Sequence, residues 1–413
     1  MKLDQYEKEM LAGKYGPGRQ RSMELLVKFG EAMGAKKMVP LSSAHTMPKE
    51  PLGLLQELTE GVDETGVFTT QHPTMSAFCL RNWQKMGIPA DFAEQEMPIH
   101  EKRQEVYQRA GFYQTYTCLP MLVGNVARFG DCVSWIGTGL QIMTNSVFGA
   151  RTNRDGTVVN LAGAITGRTP YYGLLQDDNR KAQVLVNIKG LDVQGMGPAD
   201  LGAIGYWIGS RAQSSNVAID NAGGLGFDHL RYLLPPLSVS GSVPLCHVVG
   251  VTPEAPTLDQ ALGGKSPEAV LEVGPDQLQQ AREMYARKGQ ETDLALFGCS
   301  HCTINEIGAI AGSIKGRRLA PGKRLWVGTA YQTQELARQM GYAQAIEAAG
   351  GVFANACMAT IPDAPLPPGT KVVGTSSFKA AHYIANLTKG AVKTWVDDVE
   401  ACLDSVMESK GRT

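Results

Sequence analysis

Residues 293–330 read DLALFGCSHCTINEIGAIAGSIKGRRLAPGKRLWVGTA, and their pattern decides the fold class. Residues 293–297 are predicted to form a buried strand, which ends at the loop 298–301 (GCSH). A helix is predicted at 305–314 and a second strand at 324–329. The repeated order of strand, loop and helix is typical of a parallel α/β layer. Because ligands bind beyond the carboxyl ends of such strands, the loop after residue 297 is a candidate site.

The same alternation continues on both sides of this stretch. Further helices are predicted at 18–33, 277–288, 332–349 and from residue 378, and further strands at 37–41, 182–188, 243–251, 351–354 and 372–374. A boundary is expected near residue 290. It divides the chain into N-terminal lobes at 1–290 and a C-terminal α/β lobe at 291–413.

Composition limits the classes of function. With 413 residues, 43% hydrophobic and 19% charged, the chain is predicted to be globular, with two or three domains or lobes. The 39 basic and 40 acidic residues give a net charge of -1, which argues against a nucleic-acid partner. The longest apolar run, 233–251, is interrupted by Pro235, Pro236 and Pro244, so no membrane span is expected. The polar N-terminus lacks a signal peptide, and a cytoplasmic protein is predicted.

Seven of the eight cysteines fall into two groups, and Cys132 is assigned to neither. Cys79, Cys246 and Cys402 lie in helical or apolar contexts and are expected to be core residues. The candidates for chemistry lie beside glycine or proline or at the end of a strand: Cys118, Cys299, Cys302 and Cys357. Iron–sulfur clusters need thiolates that converge from loops. The single C-x-x-C pair is weak on its own, because it is equally consistent with a redox dithiol, half a zinc site or chance.

The run 145–156 (NSVFGARTNRDG) is the most polar conspicuous loop. Arg151 and Arg154, set among asparagines and hydroxyls, could cradle an anion, because guanidinium groups bind carboxylate and phosphate oxygens in pairs. The alternative is a solvated loop in which either arginine pairs with Asp155. Among the histidines, His301 stands out because it lies between two cysteines.

Taken in chain order, several motifs resemble the aconitase X family. They are SSAHT at 42–46, VFTTQHP at 67–73, Thr117-Cys118 with Gly124-Asn125, the 145–156 run, HVVGVTPEAPT at 247–257, GCSH at 298–301, the strand ending at Cys357, and TSSFKAAHY at 375–383. The resemblance implies an aconitase-like, multi-lobed α/β architecture, with parallel sheets flanked by helices and a cleft between lobes.

The resemblance also implies a hydro-lyase with an iron–sulfur cluster held by Cys118, Cys299 and Cys357, with Cys302 as a reserve ligand. A mononuclear iron is the alternative cofactor. Three thiolates leave one iron position open, where a Lewis acid can polarise the leaving hydroxyl. The favoured small-molecule substrate is cis-3-hydroxy-L-proline, and phosphomevalonate is the alternative.

Roles for the other motif residues follow from the same resemblance. Substrate binding is expected from Asn145, Ser146, Arg151, Thr152, Arg154, His45, Thr69 and Thr70. Catalytic roles are expected from His301, which would orient the cluster or the leaving hydroxyl, and from Lys379 and Ser376, which would bind an anion.

None of the chain's own residues is a clear base for the carbon-bound proton. In this family a small swivelling domain supplies a catalytic serine. The 30 residues after Tyr383 are too few for such a domain, so a separate small subunit is expected.

The chain also departs from the family pattern at several motifs. Residues 137–139 are Gly-Thr-Gly where Glu-Ser-Ser is usual, and Gln71-His72 replaces an expected asparagine. Gly13-Lys14 and Leu174-Leu175-Gln176 depart as well. These changes leave open a divergent, non-catalytic or regulatory paralogue. A thiol oxidoreductase that uses Cys299 and Cys302 is the third alternative.

Overall fold

The computed structural model describes residues 1–73, 79–358 and 366–408. Helices pack around three parallel sheets, each built from its own stretch of the chain. This is the α/β architecture of parallel sheets and flanking helices that the alternation predicts.

The first lobe holds a three-stranded parallel sheet. Its helices are α1 (Gln5–Leu11), α2 (Pro17–Ala32), α3 (Leu52–Leu58), α4 (Trp83–Met86), α5 (Ala90–Arg109), α6 (Thr138–Ser146) and α7 (Thr157–Thr166), and its strands are β1 (Met38–Pro40), β2 (Ser43–Thr46), β3 (Thr69–Gln71), β4 (Val133–Trp135) and β5 (Arg168–Pro170). The strand order is β3-β2-β4, and β1 and β5 form a separate antiparallel pair. The Asn160 amide of α7 donates to the Ser134 carbonyl at 2.7 Å, which ties this buried helix to the sheet.

The second lobe is a four-stranded parallel sheet in the order β8-β7-β6-β9. Its elements are β6 (Val184–Ile188), α8 (Pro198–Ala212), β7 (Val217–Asp220), α9 (Phe227–Gly241), β8 (Cys246–Val248), α10 (Leu258–Leu262), β9 (Ala269–Val273) and α11 (Pro275–Met284). Helices α8 and α9 touch backbone to backbone. A Cβ at Gly205 would lie 2.0 Å from the Leu233 carbonyl oxygen, so this crossing requires glycine.

The third lobe is a five-stranded parallel sheet in the order β12-β11-β10-β13-β14. Its elements are β10 (Leu294–Phe297), α12 (Ile304–Ile314), β11 (Arg324–Gly328), α13 (Tyr331–Gln339), α14 (Tyr342–Ala348), β12 (Val352–Ala354), β13 (Val372–Thr375), α15 (Phe378–Leu387), β14 (Lys393–Val396) and α16 (Val399–Asp404). Thr303 caps α12 through a reciprocal capping box with Glu306.

Two details of the sequence expectations need adjustment. The helix predicted at 277–288 begins at Pro275 and ends at Met284, because proline is suited to the first helical position and the Tyr285 ring packs edge-on against Phe378 at 5.5 Å. The apolar run 233–251 is divided between α9 and β8.

No helix in the described ranges is long and apolar enough to cross a membrane. Residue 290 lies in the link between α11 and β10, and the domain boundary there stays a prediction.

Candidate active site

A cavity of about 260 Å³ lies where the carboxyl ends of two parallel sheets face each other. The first lobe contributes residues that follow β2, β3 and β4, and the third lobe contributes residues that follow β10 and β12 or lie on α15. The lining residues are Met47, Lys49, His72, Cys118, Gly137, Thr138, Gly139, Leu140, Cys299, Ser300, Cys357, Lys379, Tyr383 and Leu387. The cavity therefore lies between lobes and has the position in which open α/β sheets bind ligands.

Three cysteines from distant parts of the sequence line this cavity. Cys118 comes from the first lobe, and Cys299 and Cys357 come from the third. All eight cysteines of the chain are present as thiols. The His301 backbone N–H donates to the Cys118 sulfur at 3.1 Å, so a hydrogen bond to one thiol joins the two lobes.

Lys379 places a positive charge among these thiols. Burial raises the pKa of Cys118 and raises that of Cys299 to about 12, while the Lys379 ammonium opposes both shifts. Burial disfavours the charged lysine, but the nearby Cys299 and Cys118 outweigh this effect and raise the pKa of Lys379. The site thus contains a fixed cation that favours thiolates.

The thiols and the ammonium of this cavity meet the chemical requirements of an iron centre in part. Soft thiol ligands beside a cation suit iron–sulfur chemistry, because the thiolate is the form that binds metal. Within residues 1–73, 79–358 and 366–408, no three His, Cys, Asp or Glu side chains already form a group that could hold a metal ion. The convergence of the Cys118, Cys299 and Cys357 sulfurs around a bound group stays a prediction.

His301 and Cys302 lie behind the cavity wall. The His301 Nε2–H donates to the Ala356 carbonyl at 3.1 Å, and burial lowers the pKa of the ring to about 4. The neutral ring therefore has Nδ1 as an acceptor, and this atom has no hydrogen-bond partner in the described chain. Cys302, the reserve ligand, is 2% exposed and packs in the core of the third lobe, where burial raises the pKa of its thiol.

The two serines of the 375–383 motif have different surroundings. Ser376 faces a smaller neighbouring space, which shares Cys299 and Ser300 with the main cavity. Ser377 caps α15 by accepting from the Ala380 N–H at 3.2 Å, and its hydroxyl donates to the Cys299 carbonyl. The hydroxyl of Ser377 therefore has a structural role in holding the cysteine loop.

His45, Thr69 and Thr70 lie in the first-lobe sheet and do not line the cavity. The Asn125 amide donates to the Thr70 hydroxyl at 2.8 Å, and the same hydroxyl is hydrogen-bonded to His45 Nδ1 at 2.9 Å. Burial lowers the pKa of His45 to about 3, and a backbone hydrogen bond at Thr117 opposes the shift only partly. His45 is therefore neutral and is fixed in one orientation.

Most of the 145–154 loop packs away from the cavity. The Asn145 amide donates to the carbonyls of Thr152 and Pro244, and the Ser146 hydroxyl accepts from the Cys246 N–H at 2.9 Å. Arg180, which is 2% exposed, inserts its guanidinium into the same network. These residues stabilise the loop and join it to the second lobe.

The two arginines of that loop differ. Arg151 forms an ion pair with Asp177 at 2.5 Å and donates to the Leu175 carbonyl at 3.0 Å. Arg154 interacts electrostatically with Tyr383, whose hydroxyl donates to Thr138 at 3.0 Å on the cavity lining. Of the two, Arg154 is the one that interacts electrostatically with a residue of the cavity lining.

Sequence reasoning did not assign a role to several lining residues, namely His72, the first turn of α6 and Tyr383. The departures from the family pattern at residues 71–72 and 137–139 are a signal for His72 and for the start of α6, because His72 and residues 137–139 line the cavity, whereas Tyr383 lies in the 375–383 motif. Their place in one cavity with the three cysteines depends on tertiary structure.

Sequence comparisons cover nearly the whole chain. Models of the aconitase X first, second and third domains match residues 1–178, 182–283 and 292–408. The chain is 35% identical to a phosphomevalonate dehydratase large subunit from Methanothermobacter thermautotrophicus over 93% of this chain and 94% of that one. It is 29% identical to a cis-3-hydroxy-L-proline dehydratase from Pseudomonas aeruginosa over 95% of this chain and 68% of that protein.

A solved structure has the same overall arrangement. The crystal structure of Thermococcus kodakaraensis aconitase X in its holo-form superposes with a TM-score of 0.84 at 28% identity, and the match covers 98% of this chain and 100% of that one.

Proposed function

Because the chain belongs to the aconitase X family, we propose that it is the catalytic subunit of an iron–sulfur hydro-lyase that removes water from a small hydroxy acid. The observation that carries the proposal is the lining of one cavity by three thiols and the Lys379 ammonium. The relatives named above are dehydratases, which supports this reaction class. The favoured substrate is cis-3-hydroxy-L-proline.

Each of the following residues of this chain has its own role in the proposed reaction. Cys118, Cys299 and Cys357 hold the cluster, which when bound acts as a Lewis acid on the leaving hydroxyl. Lys379 offsets the negative charge of the thiolates. His301 is a positioning residue, since its backbone N–H donates to the Cys118 sulfur. Arg154, which interacts electrostatically with Tyr383 of the cavity lining, attracts the substrate acid towards the cavity.

The proton next to the substrate carboxylate is removed by a serine on a separate small subunit. The name "large subunit" carried by the phosphomevalonate dehydratase relatives supports such a partner. Its contact surface includes three exposed apolar side chains that follow Cys118 in the chain. These are Leu122, Val126 and Phe129, which are 42%, 58% and 62% exposed. Exposed apolar side chains so close in sequence are typical of an interaction surface.

The test is anaerobic purification of the chain, alone and with a small swivelling-domain partner, followed by assays of iron, sulfide and dehydration. We expect iron and sulfide in the chain, and dehydration of cis-3-hydroxy-L-proline only when both subunits are present. Full turnover by this chain alone would show that one of its own residues is the base. A chain that binds the cluster but never turns over would instead be the non-catalytic paralogue.

Phosphomevalonate is the second candidate substrate. The observation in its favour is identity, because the chain is 35% and 32% identical to phosphomevalonate dehydratase large subunits from two archaea. The same assay with phosphomevalonate decides between the two acids.

A further inference from the structure

Helix α9 of the second lobe lies behind the cysteine loop, which we define as residues 298–303 between β10 and α12. A cavity of about 20 Å³ is lined by Arg231 and Tyr232 of α9 together with Cys299 and Ser300 of the loop. Such a volume holds about one water molecule, so the helix and the loop lie close together.

The Glu306 carboxylate, in the first turn of α12, joins this helix to the end of the loop. Its Oε2 accepts from the Thr303 backbone N–H at 2.8 Å and forms an ion pair with Arg231 Nη2 at 2.5 Å. Its Oε1 accepts from the Tyr232 hydroxyl at 2.9 Å. One carboxylate therefore has two contacts in the second lobe and one in the cysteine loop.

The other two lobes also hold this loop. The Cys302 N–H donates to the Gly328 carbonyl at 2.8 Å within the third lobe, and the His301 N–H donates to the Cys118 sulfur of the first. Glu306 adds the second lobe to these supports. The loop that carries Cys299 is thus the place where all three lobes meet.

The turn of α9 that provides these contacts has fewer backbone hydrogen bonds than an ordinary helix. Pro235 and Pro236 lie inside α9 and lack an N–H, so the carbonyls of Arg231 and Tyr232 lose the donor four residues further on. Side-chain contacts to Glu306 consequently provide a larger share of what orients this turn. Their loss should let the turn and the cysteine loop move apart.

The Arg231 guanidinium is buried, and its charge reaches the thiols. Burial raises the pKa of Cys118 and that of Cys302, and Arg231 opposes both shifts although it belongs to the second lobe. A buried ion pair adds little net stability, because both charges lose their water. Its components are nevertheless costly to separate, so it can fix the geometry of the elements that it joins.

We propose that Glu306, Arg231 and Tyr232 are positioning residues through which the second lobe holds Cys299 in place for the reaction. None of the three has to touch the substrate, because each acts through the cysteine loop. The inference rests on the proposed function for what Cys299 binds, and it assigns the second lobe a part in that function.

The first test measures the exposure of Cys299 and needs no bound metal. The full chain is freed of metal with a chelator, reduced, and treated with iodoacetamide, and the rate at each cysteine is measured by peptide mass spectrometry. Tyr232→Phe should speed the reaction of Cys299 about 3- to 30-fold, because a hydrogen bond to a charged acceptor is lost and local opening becomes easier. Cys357, at the end of β12, should stay within about twofold of wild type.

Two matched variants control for a general loss of stability. Tyr107→Phe also removes a tyrosine hydrogen bond to a glutamate carboxylate, at 2.6 Å, but in the first lobe, and it should leave the Cys299 rate unchanged. Arg231→Lys should expose Cys299, whereas Arg180→Lys, which alters a buried ion pair away from the loop, should not.

The buried cysteines of the second and third lobes report global unfolding. Cys246 and Cys402 are fully buried and should stay unmodified in every variant. A Cys299 rate equal to wild type in both Tyr232→Phe and Arg231→Lys would overturn the proposal. A rate that rises only in step with Cys246 and Cys402 would overturn it as well.

The second test separates positioning from a purely structural contact. After reconstitution with iron and sulfide, Tyr232→Phe should differ from wild type in its visible and electron paramagnetic resonance spectra at equal iron content, whereas Tyr107→Phe should not. Identical spectra in Tyr232→Phe would contradict the positioning role. Selective exposure of Cys299 in a chain that never binds iron would support the positioning role and contradict the proposed function. Turnover with an unchanged Cys299 rate in every variant would do the reverse.

Discussion

Replacement of Arg180 by methionine should destabilise the protein strongly while leaving the cavity residues in place. The guanidinium is 2% exposed and forms an ion pair with Glu254. It also donates to the Asn145 side chain at 3.1 Å and to the carbonyls of Leu174, Asn145 and Ala150 at 2.9, 3.0 and 3.2 Å. Removing it leaves one carboxylate and four neutral acceptors without their donor.

The size of the effect follows from this geometry. An unsatisfied buried acceptor costs about 1–3 kcal/mol, and these costs overlap because the acceptors lie together and can admit water. Removing one partner of a buried ion pair costs about 3–5 kcal/mol. We therefore expect the free energy of unfolding to fall by about 3–5 kcal/mol in Arg180→Met. At about 2 °C per kcal/mol, this lowers Tm by roughly 6–10 °C.

The assay is urea unfolding at 25 °C, with thermal unfolding as a second measurement. Glu254→Gln is the matched control, because glutamine keeps the shape of the side chain and one acceptor oxygen but loses the negative charge. Its loss of unfolding free energy should be no more than about half of that in Arg180→Met. Arg180→Lys should not restore stability, because an ammonium lacks the planar fork that reaches these acceptors together. A loss below about 1 kcal/mol in Arg180→Met would refute the reasoning.

Three other perturbations give distinct outcomes. Cys118→Ser should lower the iron content and the visible absorbance of anaerobically purified protein while the far-UV circular dichroism is unchanged; iron equal to wild type would remove Cys118 from the ligand set. Gly205→Ala places a methyl group 2.0 Å from the Leu233 carbonyl and should cost at least about 1–3 kcal/mol in urea unfolding, whereas Gly223→Ala, which meets nothing within 4 Å, should be near neutral. The pKa of His45 is lowered from 6.5 to about 3 in the folded state, so below pH 6.5 the unfolded state binds a proton that the folded state does not. The stability that neutral His45 contributes is therefore present above pH 6.5 and is lost as the pH falls towards 3. Over that range the free energy of unfolding falls by up to about 1.4 kcal/mol per pH unit. His45→Gln should make the fall in unfolding free energy between pH 6.5 and 4 shallower, and identical slopes would contradict this assignment.

The sequence predicts the third lobe well because its elements carry strong local signals. The apolar strand and capped helix at 293–314 match β10 and α12 closely. By contrast, α8 contains Gly202, Gly205 and Gly209 and is buried on nearly every side, so it has no clear amphipathic pattern. Strand β9 is mostly exposed and also lacks an apolar signal. Both were missing from the sequence-based assignment.

The candidate site shows a similar division. Strand-end cysteines can be recognised locally, because glycine and proline beside a thiol mark open loops. The pairing of Arg151 with Asp177 and the location of His72 at the start of α6 depend on how separate elements meet, which no local pattern encodes. Cys302 differs from Cys299 in burial although the two are three residues apart, because one faces the core and the other the cavity.

The division of the cavity between the first and third lobes sets an order of events during synthesis. Cys118 leaves the ribosome 239 residues before Cys357, a delay of roughly 10 to 50 s at ordinary translation rates. For the first 181 residues of that interval neither Cys299 nor the His301 N–H that bonds to the Cys118 sulfur has been made, and Lys379 follows Cys357 by 22 residues. A nascent chain therefore first displays one of the three thiols alone, and any group that needs all three can bind only after the third lobe has been made.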